Sequence, residues 1–266
     1  MRFFQCKVPG IWFTTNGTDV VDYGPTNLNT FNPNMRWVAK DQSNISLIMD
    51  LGVATSCNAI AFTSHNLDSC GNCVLEADSD PAFGTAVSIA SITPATSLPY
   101  FLEFTAVSYR YWRLKFTGLI DRPYLAGLFI GTSLAPTHNY QFGYKLGDKQ
   151  FNTVQQTVLN GGLRSSQFAP GREAFEILLE YQDNTMKNSW IEFVRDVCGS
   201  AIPFYFVDHN SEVHYVHFAE NYTPAVARSY NINDMQTVKM LAMTADVLLP
   251  GKSYGPDLFC IPSERL

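Results

Sequence analysis

The sequence predicts a mainly β protein: two β-sandwich or jelly-roll domains, the second with one amphipathic helix. Three observations lead there. The dominant hydrophobic period is two, which gives each strand one buried and one wet face, as in antiparallel sheets. Turn chemistry recurs between short apolar runs. The 266 residues include 19 Phe, 13 Tyr and 4 Trp, which fills cores and excludes a disordered chain.

Taken in order, Ile45, Leu47, Met49 and Leu51 alternate with Ser46 and Asp50. Residues 59–62 form a further apolar run. Tyr100, Leu102 and Phe104 alternate with Phe101 and Glu103, and Trp112, Leu114 and Phe116 with Tyr111, Arg113 and Lys115. The turns between them are Asn16-Gly17, Tyr23-Gly24-Pro25, Asn32-Pro33, Asp80-Pro81, Leu98-Pro99 and Arg122-Pro123. Short strands with frequent turns mean a sandwich or jelly roll. An apolar strand over 125–130 ends near Ser133-Leu134-Ala135-Pro136-Thr137-His138, and a polar stretch with Gly143 and Gly147 follows. This places a domain boundary there, giving 1–135 and 136–266.

In the second part, 151–159 is a Thr/Val/Gln-rich strand. Phe175, Ile177, Leu179 and Tyr181 alternate with Glu176, Leu178 and Glu180. Residues 202–207 and 213–218 form a hairpin around Asp208-His209-Asn210-Ser211, and 238–249 is a further strand or pair. A helix near 185–198 interrupts them. Met186, Trp190, Val194 and Val197 share one of its faces, Asn184 can cap its start and Gly199 its end.

Composition narrows the function. Net charge is −6 and only 16% of residues are charged, against about a quarter in an average chain, so the surface is built from neutral polar groups. The acidic balance argues against nucleic-acid recognition, which needs a Lys/Arg surplus. No apolar run approaches the roughly 20 residues of a membrane span, so membrane insertion is not expected. The opening MRFFQCKVPGIWF has one early Arg and no apolar core before a small-residue site, and reads as leaderless; reduced thiols follow as the expectation.

Six cysteines are present, Cys6, Cys57, Cys70, Cys73, Cys198 and Cys260. Cys70-Gly71-Asn72-Cys73 has the CxxC spacing of zinc, iron–sulfur or redox sites, with Cys57 a third ligand if its strand lies beside that loop. A second pair is missing and no helix follows to lower a thiol pKa, so no cofactor is expected. His214-x-x-His217 looks metal-like, but on a strand the two side chains point to opposite faces. Glu76, Asp78 and Asp80 share a face in extended chain and suggest either a loose calcium site or a solvated strand end. His65 and Asn66, just after a strand, either hold a turn or line a ligand pocket. Tyr109, Tyr111, Arg113 and Lys115 form a face that either stacks on sugars or is an ordinary wet sheet face. With no GxSxG, HExxH or phosphate-binding glycine loop and no convergent polar set, the chain is not expected to be an enzyme.

Two stretches resemble known families. Met49-Asp50-Leu51-Gly52, then Ala59-Ile60-Ala61-Phe62-Thr63-Ser64-His65-Asn66-Leu67, then Val74-Leu75-Glu76-Ala77-Asp78-Ser79-Asp80, then Tyr109-Arg110-Tyr111-Trp112-Arg113-Leu114 resemble the discoidin-like, galactose-binding jelly roll, over most of 1–135. The "HNL" form is similar to copies in bacteriophage tail proteins. Gly161-Gly162-Leu163-Arg164, Arg172-Glu173-Ala174-Phe175-Glu176-Ile177, the helix with Trp190 and Phe193, and Ile202-Pro203-Phe204-Tyr205-Phe206-Val207-Asp208 resemble the β-sandwich of phage distal-tail and hub proteins, over 136–266. Together the resemblances imply a structural subunit of a tail tip or baseplate, made in the bacterial cytoplasm and located in the virion. They imply a homo-oligomeric ring touching hub and tail-tube proteins, with Trp190, Arg164 and Arg172 at its interface. They also imply host-glycan contact through Tyr109, Tyr111, Arg113, His65 and Asn66. The alternative is a stand-alone carbohydrate-binding adhesion protein.

Overall fold

The computed structural model describes residues 1–5, 11–14, 20, 22–42, 45–139, 145–157, 163–179, 182–219, 226–229, 232–235 and 238–243. Cys6, Cys260, the Asn16-Gly17 and Gly161-Gly162 turns, Tyr181 and the segment 244–249 lie outside them. The fold is mainly β, with every described strand pair antiparallel and an α-helix, Asn184–Asp196. Among the described residues no helix is long and apolar enough to cross a membrane.

Two long strands organise the first half. The runs read separately at 45–51 and 59–62 are one strand, Ser46–Phe62, and those at 100–104 and 112–116 are another, Tyr100–Thr117. They pair along their length, but with register shifts between Asp50 and Thr55 and again between Cys57 and Ala59. Extra residues at a bulge reverse which side chains face inward. The core-facing set therefore runs Leu47, Met49, Leu51, then Cys57, then Ile60 and Phe62 on one strand, and Leu102, Phe104, then Val107, Tyr109, then Trp112, Leu114 and Phe116 on the other. Asn72–Asp78 and Val87–Ile92 extend this sheet on one side, and Phe129–Gly131 on the other. Trp12, Trp37, Leu75 and Leu125 complete the core.

The apolar run at 125–130 is broken into Tyr124–Ala126 and Phe129–Gly131. Gly127 between them has φ +57°, and a Cβ there would meet the Thr63 side chain at 2.7 Å, so only glycine fits. Tyr124–Ala126 pairs with Arg36–Val38 and Ser64–His65 in a small three-stranded sheet.

A seven-stranded sheet forms the rest, in the order Ser133–Leu134, Arg2–Gln5, Phe204–Val207, Val213–Phe218, Val238–Ala242, Leu163–Ile177 and Lys145–Thr157. The first strand of the chain thus lies in a sheet otherwise built from residues 133–242. The hairpin 204–218 has the predicted partners, with Phe204 opposite Val216 and Phe206 opposite His214. The helix covers one face of the sheet, burying Met186, Trp190, Phe193 and Val194 against Phe3, Phe204, Phe206 and Phe218. Its cap is Asp183 rather than Asn184: the Asp183 carboxylate accepts from Met186 N at 2.7 Å, which satisfies a first-turn amide. Gly199, at φ +64°, ends it as expected, with its N–H on Val194 O.

The opposite face of the seven-stranded sheet meets the first half. Phe4, Tyr205 and Tyr215 pack with Ala59, Ala61 and Phe129 in a shared aromatic cluster. The alternate residues of the bent strand, turned out by its bulges, supply this contact.

Candidate functional site

The Tyr109–Lys115 face divides. Tyr109 packs on the core, its ring edge-on to Trp112 at 6.4 Å, because the bulge opposite Asp50–Thr55 places it on the other side from Tyr111. Tyr111 is on the outer face but only 9% exposed. It lies with Ile48 under Phe83, from the loop 79–86. Asp78 holds that loop closed, accepting from Ser79 N at 2.7 Å, Asp80 N at 3.2 Å and Thr85 N at 3.0 Å. Arg113 is spent on the same roof: its guanidinium lies 4.2 Å from the Phe83 ring centre and its Nε donates to Glu76 at 2.8 Å. Lys115 Nζ adds a longer contact to Glu76, 3.7 Å. Tyr109, Tyr111 and Arg113 therefore form no open stacking face, and Glu76, Asp78 and Asp80 are committed separately, Asp80 to Ala82 N.

His65 and Asn66 hold a turn. His65 is fully buried, with Nε2 2.9 Å from Leu98 O and Nδ1 accepting from Leu67 N at 3.2 Å. Burial lowers its pKa, which favours the neutral ring whose Nδ1 can accept. Asn66 donates to Arg122 O at 2.8 Å and accepts from Tyr124 N at 2.9 Å. Both side chains are engaged in fixing the small sheet rather than facing solvent for a ligand.

Cys57 does not join the Cys70–Cys73 pair. Cys57 lies opposite Val107 and Cys73 opposite Phe116 on the same long strand, well separated along it. Cys57, Cys70 and Cys73 are buried free thiols. Burial pushes Cys57 up to about 12 and Cys70 to about 11, and Cys73 well above its usual value. Such thiols resist the thiolate form that a metal or redox reaction uses. Among the described residues, the group of three or more metal-ligating side chains that comes together is instead Asp208, Glu212 and His214.

Trp190, expected at an interface, is fully buried against the sheet, because it sits on the helix's inward face. Arg164 and Arg172 lie on the strand Leu163–Ile177, and their side chains are outside the described residues.

What the small sheet does present is Arg36 beside Tyr124. Trp37 and Leu125 point inward from their strands, so Arg36 and Tyr124 point out. The Arg36 guanidinium lies 5.3 Å from the Tyr124 ring centre. Arg36 is exposed, Tyr124 half-buried, and Arg36 has no carboxylate partner among the described residues. Tyr23 is 40% exposed and its carbonyl accepts from Val38 N in the adjacent strand. Neither Arg36 nor Tyr124 stands out in the sequence: their strands are three residues long, too short to show alternation.

No family model matches this sequence, and no curated protein does. Solved structures similar to part of the chain include a CBM32 module from Clostridium perfringens in complex with GalNAc-β-1,3-galactose, at 13% identity and TM-score 0.41, covering 48% of this chain and 99% of that one. The family 32 module of C. perfringens NanJ, in complex with galactose, matches at 16% identity and TM-score 0.41 over 49% and 98%. A chitosan-binding module from a Paenibacillus sp. IK-5 chitosanase/glucanase, in complex with chitotriose, matches at 13% and 0.41 over 47% and 98%. Each likeness concerns the backbone path of about half of this chain.

Proposed function

We propose that this protein is a non-catalytic carbohydrate-binding protein of the adhesion type, with Arg36 and Tyr124 as the glycan contact. The observation that supports it is the exposed guanidinium held over an aromatic ring on a rigid strand face. An aromatic face stacks against the C–H face of a sugar, and a guanidinium supplies up to five donors to ring hydroxyls or a carboxylate. Rigid placement on strands limits the ordering cost of binding. A glycan array with the full chain tests this. Binding that falls at least tenfold in both Arg36→Ala and Tyr124→Ala, but persists in Tyr109→Phe, is the expected result. No bound saccharide, or binding indifferent to both changes, defeats the reading.

A second reading, a subunit of a phage tail tip or baseplate ring located in the virion, rests on the sequence resemblances. One observation favours it. Among the described residues, Leu163–Ile177 pairs with Val238–Ala242 from Ala174 to Ile177 and with Lys145–Thr157 as far as Leu163. Among the described residues the pair runs on as a two-stranded ribbon, which is marginal alone and offers strand edges that another chain can pair. In this reading 1–135 and 136–266 are the two functional units, with the ribbon lodged against neighbouring copies or tail proteins. Electron microscopy of virions labelled with antibody to the protein would check it; unlabelled tails exclude it.

A further inference from the structure

The hairpin between Phe204–Val207 and Val213–Phe218 brings together three metal-ligating groups. A carboxylate oxygen of Asp208, one of Glu212 and a ring nitrogen of His214 all lie within 4.8 Å of one another. The register explains it: Phe206 is opposite His214, and Asp208 N bonds Glu212 O, so 208, 212 and 214 share one face of the hairpin. A fourth donor comes from a different strand, Glu173 Oε2 at 3.9 Å from His214 Nδ1.

Two features separate this cluster from an ordinary acidic turn. Asp208 is only 3% exposed. Its Oδ1 accepts from Asn210 N and Glu212 N, both at 2.8 Å, which fixes the carboxylate on the hairpin. The second is the imidazole. His214 is stacked on Phe206 at 6.1 Å and lies 4.6 Å from the Phe175 ring centre. Its distance to Glu173 is too long for a hydrogen bond, and none is formed to any other described residue. The ring thus sits against aromatic walls, with one nitrogen within 4.8 Å of the Asp208 and Glu212 carboxylates and Nδ1 3.9 Å from Glu173.

We propose that Asp208, Glu212 and His214 bind a divalent transition-metal cation, with Zn²⁺ the best fit and Glu173 completing the set. One imidazole nitrogen with carboxylate oxygens suits zinc rather than magnesium or calcium, which favour oxygen alone. Ligand atoms on one zinc lie about 3.4 Å apart, given bonds of about 2.0–2.2 Å. Rotation of the exposed Glu212 side chain closes the remaining distance. The ion would tie the hairpin turn to Leu163–Ile177 across the sheet. This site is independent of the glycan reading.

The test is calorimetric titration of the chelator-treated full chain, carrying Cys198→Ser, with Zn²⁺ and then Mg²⁺. One equivalent of Zn²⁺ should bind, with no comparable Mg²⁺ binding. Asp208→Asn, His214→Gln and Glu212→Gln should each weaken it at least tenfold. Glu212 is exposed, so its variant folds whatever happens to the others. Co²⁺ in place of Zn²⁺ should give visible d–d absorption without a sulfur-to-metal charge-transfer band. No Zn²⁺ binding, binding unchanged in Glu212→Gln, or a sulfur band would overturn the proposal.

Discussion

The buried hydroxyl of Tyr205, in the seven-stranded sheet, donates to the carbonyl of Gly127, in the turn between two strands of the first half. It crosses the aromatic contact made by Phe4, Phe129 and Tyr215, and so fixes one half of the molecule on the other. Tyr205→Phe removes the donor and leaves a buried carbonyl unpaired, a loss of about 1–3 kcal/mol. Gly127→Ala should cost more than Tyr205→Phe, since the new Cβ meets Thr63 at 2.7 Å and the Tyr205 hydroxyl at 3.2 Å with φ at +57°. Urea unfolding of the two variants measures both; equal stability to the parent would mean the contact is not made.

Helix docking depends on Trp190. The ring is fully buried, edge-on to Phe3 at 4.8 Å and stacked on Phe193 at 5.5 Å. Trp190→Ala should lose about 3–5 kcal/mol, and Trp190→Phe much less. Thermal melts followed by near-ultraviolet dichroism would show it, and an unchanged midpoint in the alanine variant would contradict the packing.

Acid should weaken the first half through Asp50. Arg110 clamps its carboxylate, Nε to Oδ1 at 2.8 Å and Nη2 to Oδ2 at 2.9 Å, and Gly52 N donates at 2.7 Å. The Arg110 hydrogen bonds, ahead of the Gly52 amide, hold its pKa below the usual value although burial acts the other way. A depressed folded pKa stabilises above the unfolded value of about 3.9 and the gain is lost as pH falls through the folded one. Asp50→Asn should therefore flatten the acid limb of the stability–pH curve while lowering stability at neutral pH. Parallel curves for variant and parent would refute this.

Thiol chemistry should sort by burial. Cys198 is exposed while Cys57, Cys70 and Cys73 are buried. Native protein treated with iodoacetamide should be modified at Cys198, and at Cys57, Cys70 and Cys73 only after unfolding, as read by peptide mass mapping. The sign of the pH effect is opposite to that of Asp50: raised folded pKa values favour the fold below the unfolded thiol value of about 8.5 and lose that contribution as pH rises toward about 11 and 12 for Cys70 and Cys57. Rapid labelling of Cys73 in the native state would sink this account.

The period-two alternation, the turn dipeptides and the i, i+4, i+8 face of the helix were enough to determine a mainly β chain with an amphipathic helix, and the inward residues Leu47, Met49, Trp112, Leu114, Phe116 and Trp190. Those signals are local, and burial of a face follows directly from them. Side-chain direction past residue 51 or before residue 111 was not legible, since a register shift is set by the partner strand. That is why Tyr109 and Tyr111 point to opposite sides despite their spacing. The Phe83 roof over Tyr111, the pairing of Arg36 with Tyr124, the cross-strand meeting of Asp208 with His214, and Arg2–Gln5 joining Phe204–Val207 were decided only by tertiary structure. Each joins residues that sequence distance keeps apart, and only backbone pairing in three dimensions brings them within reach.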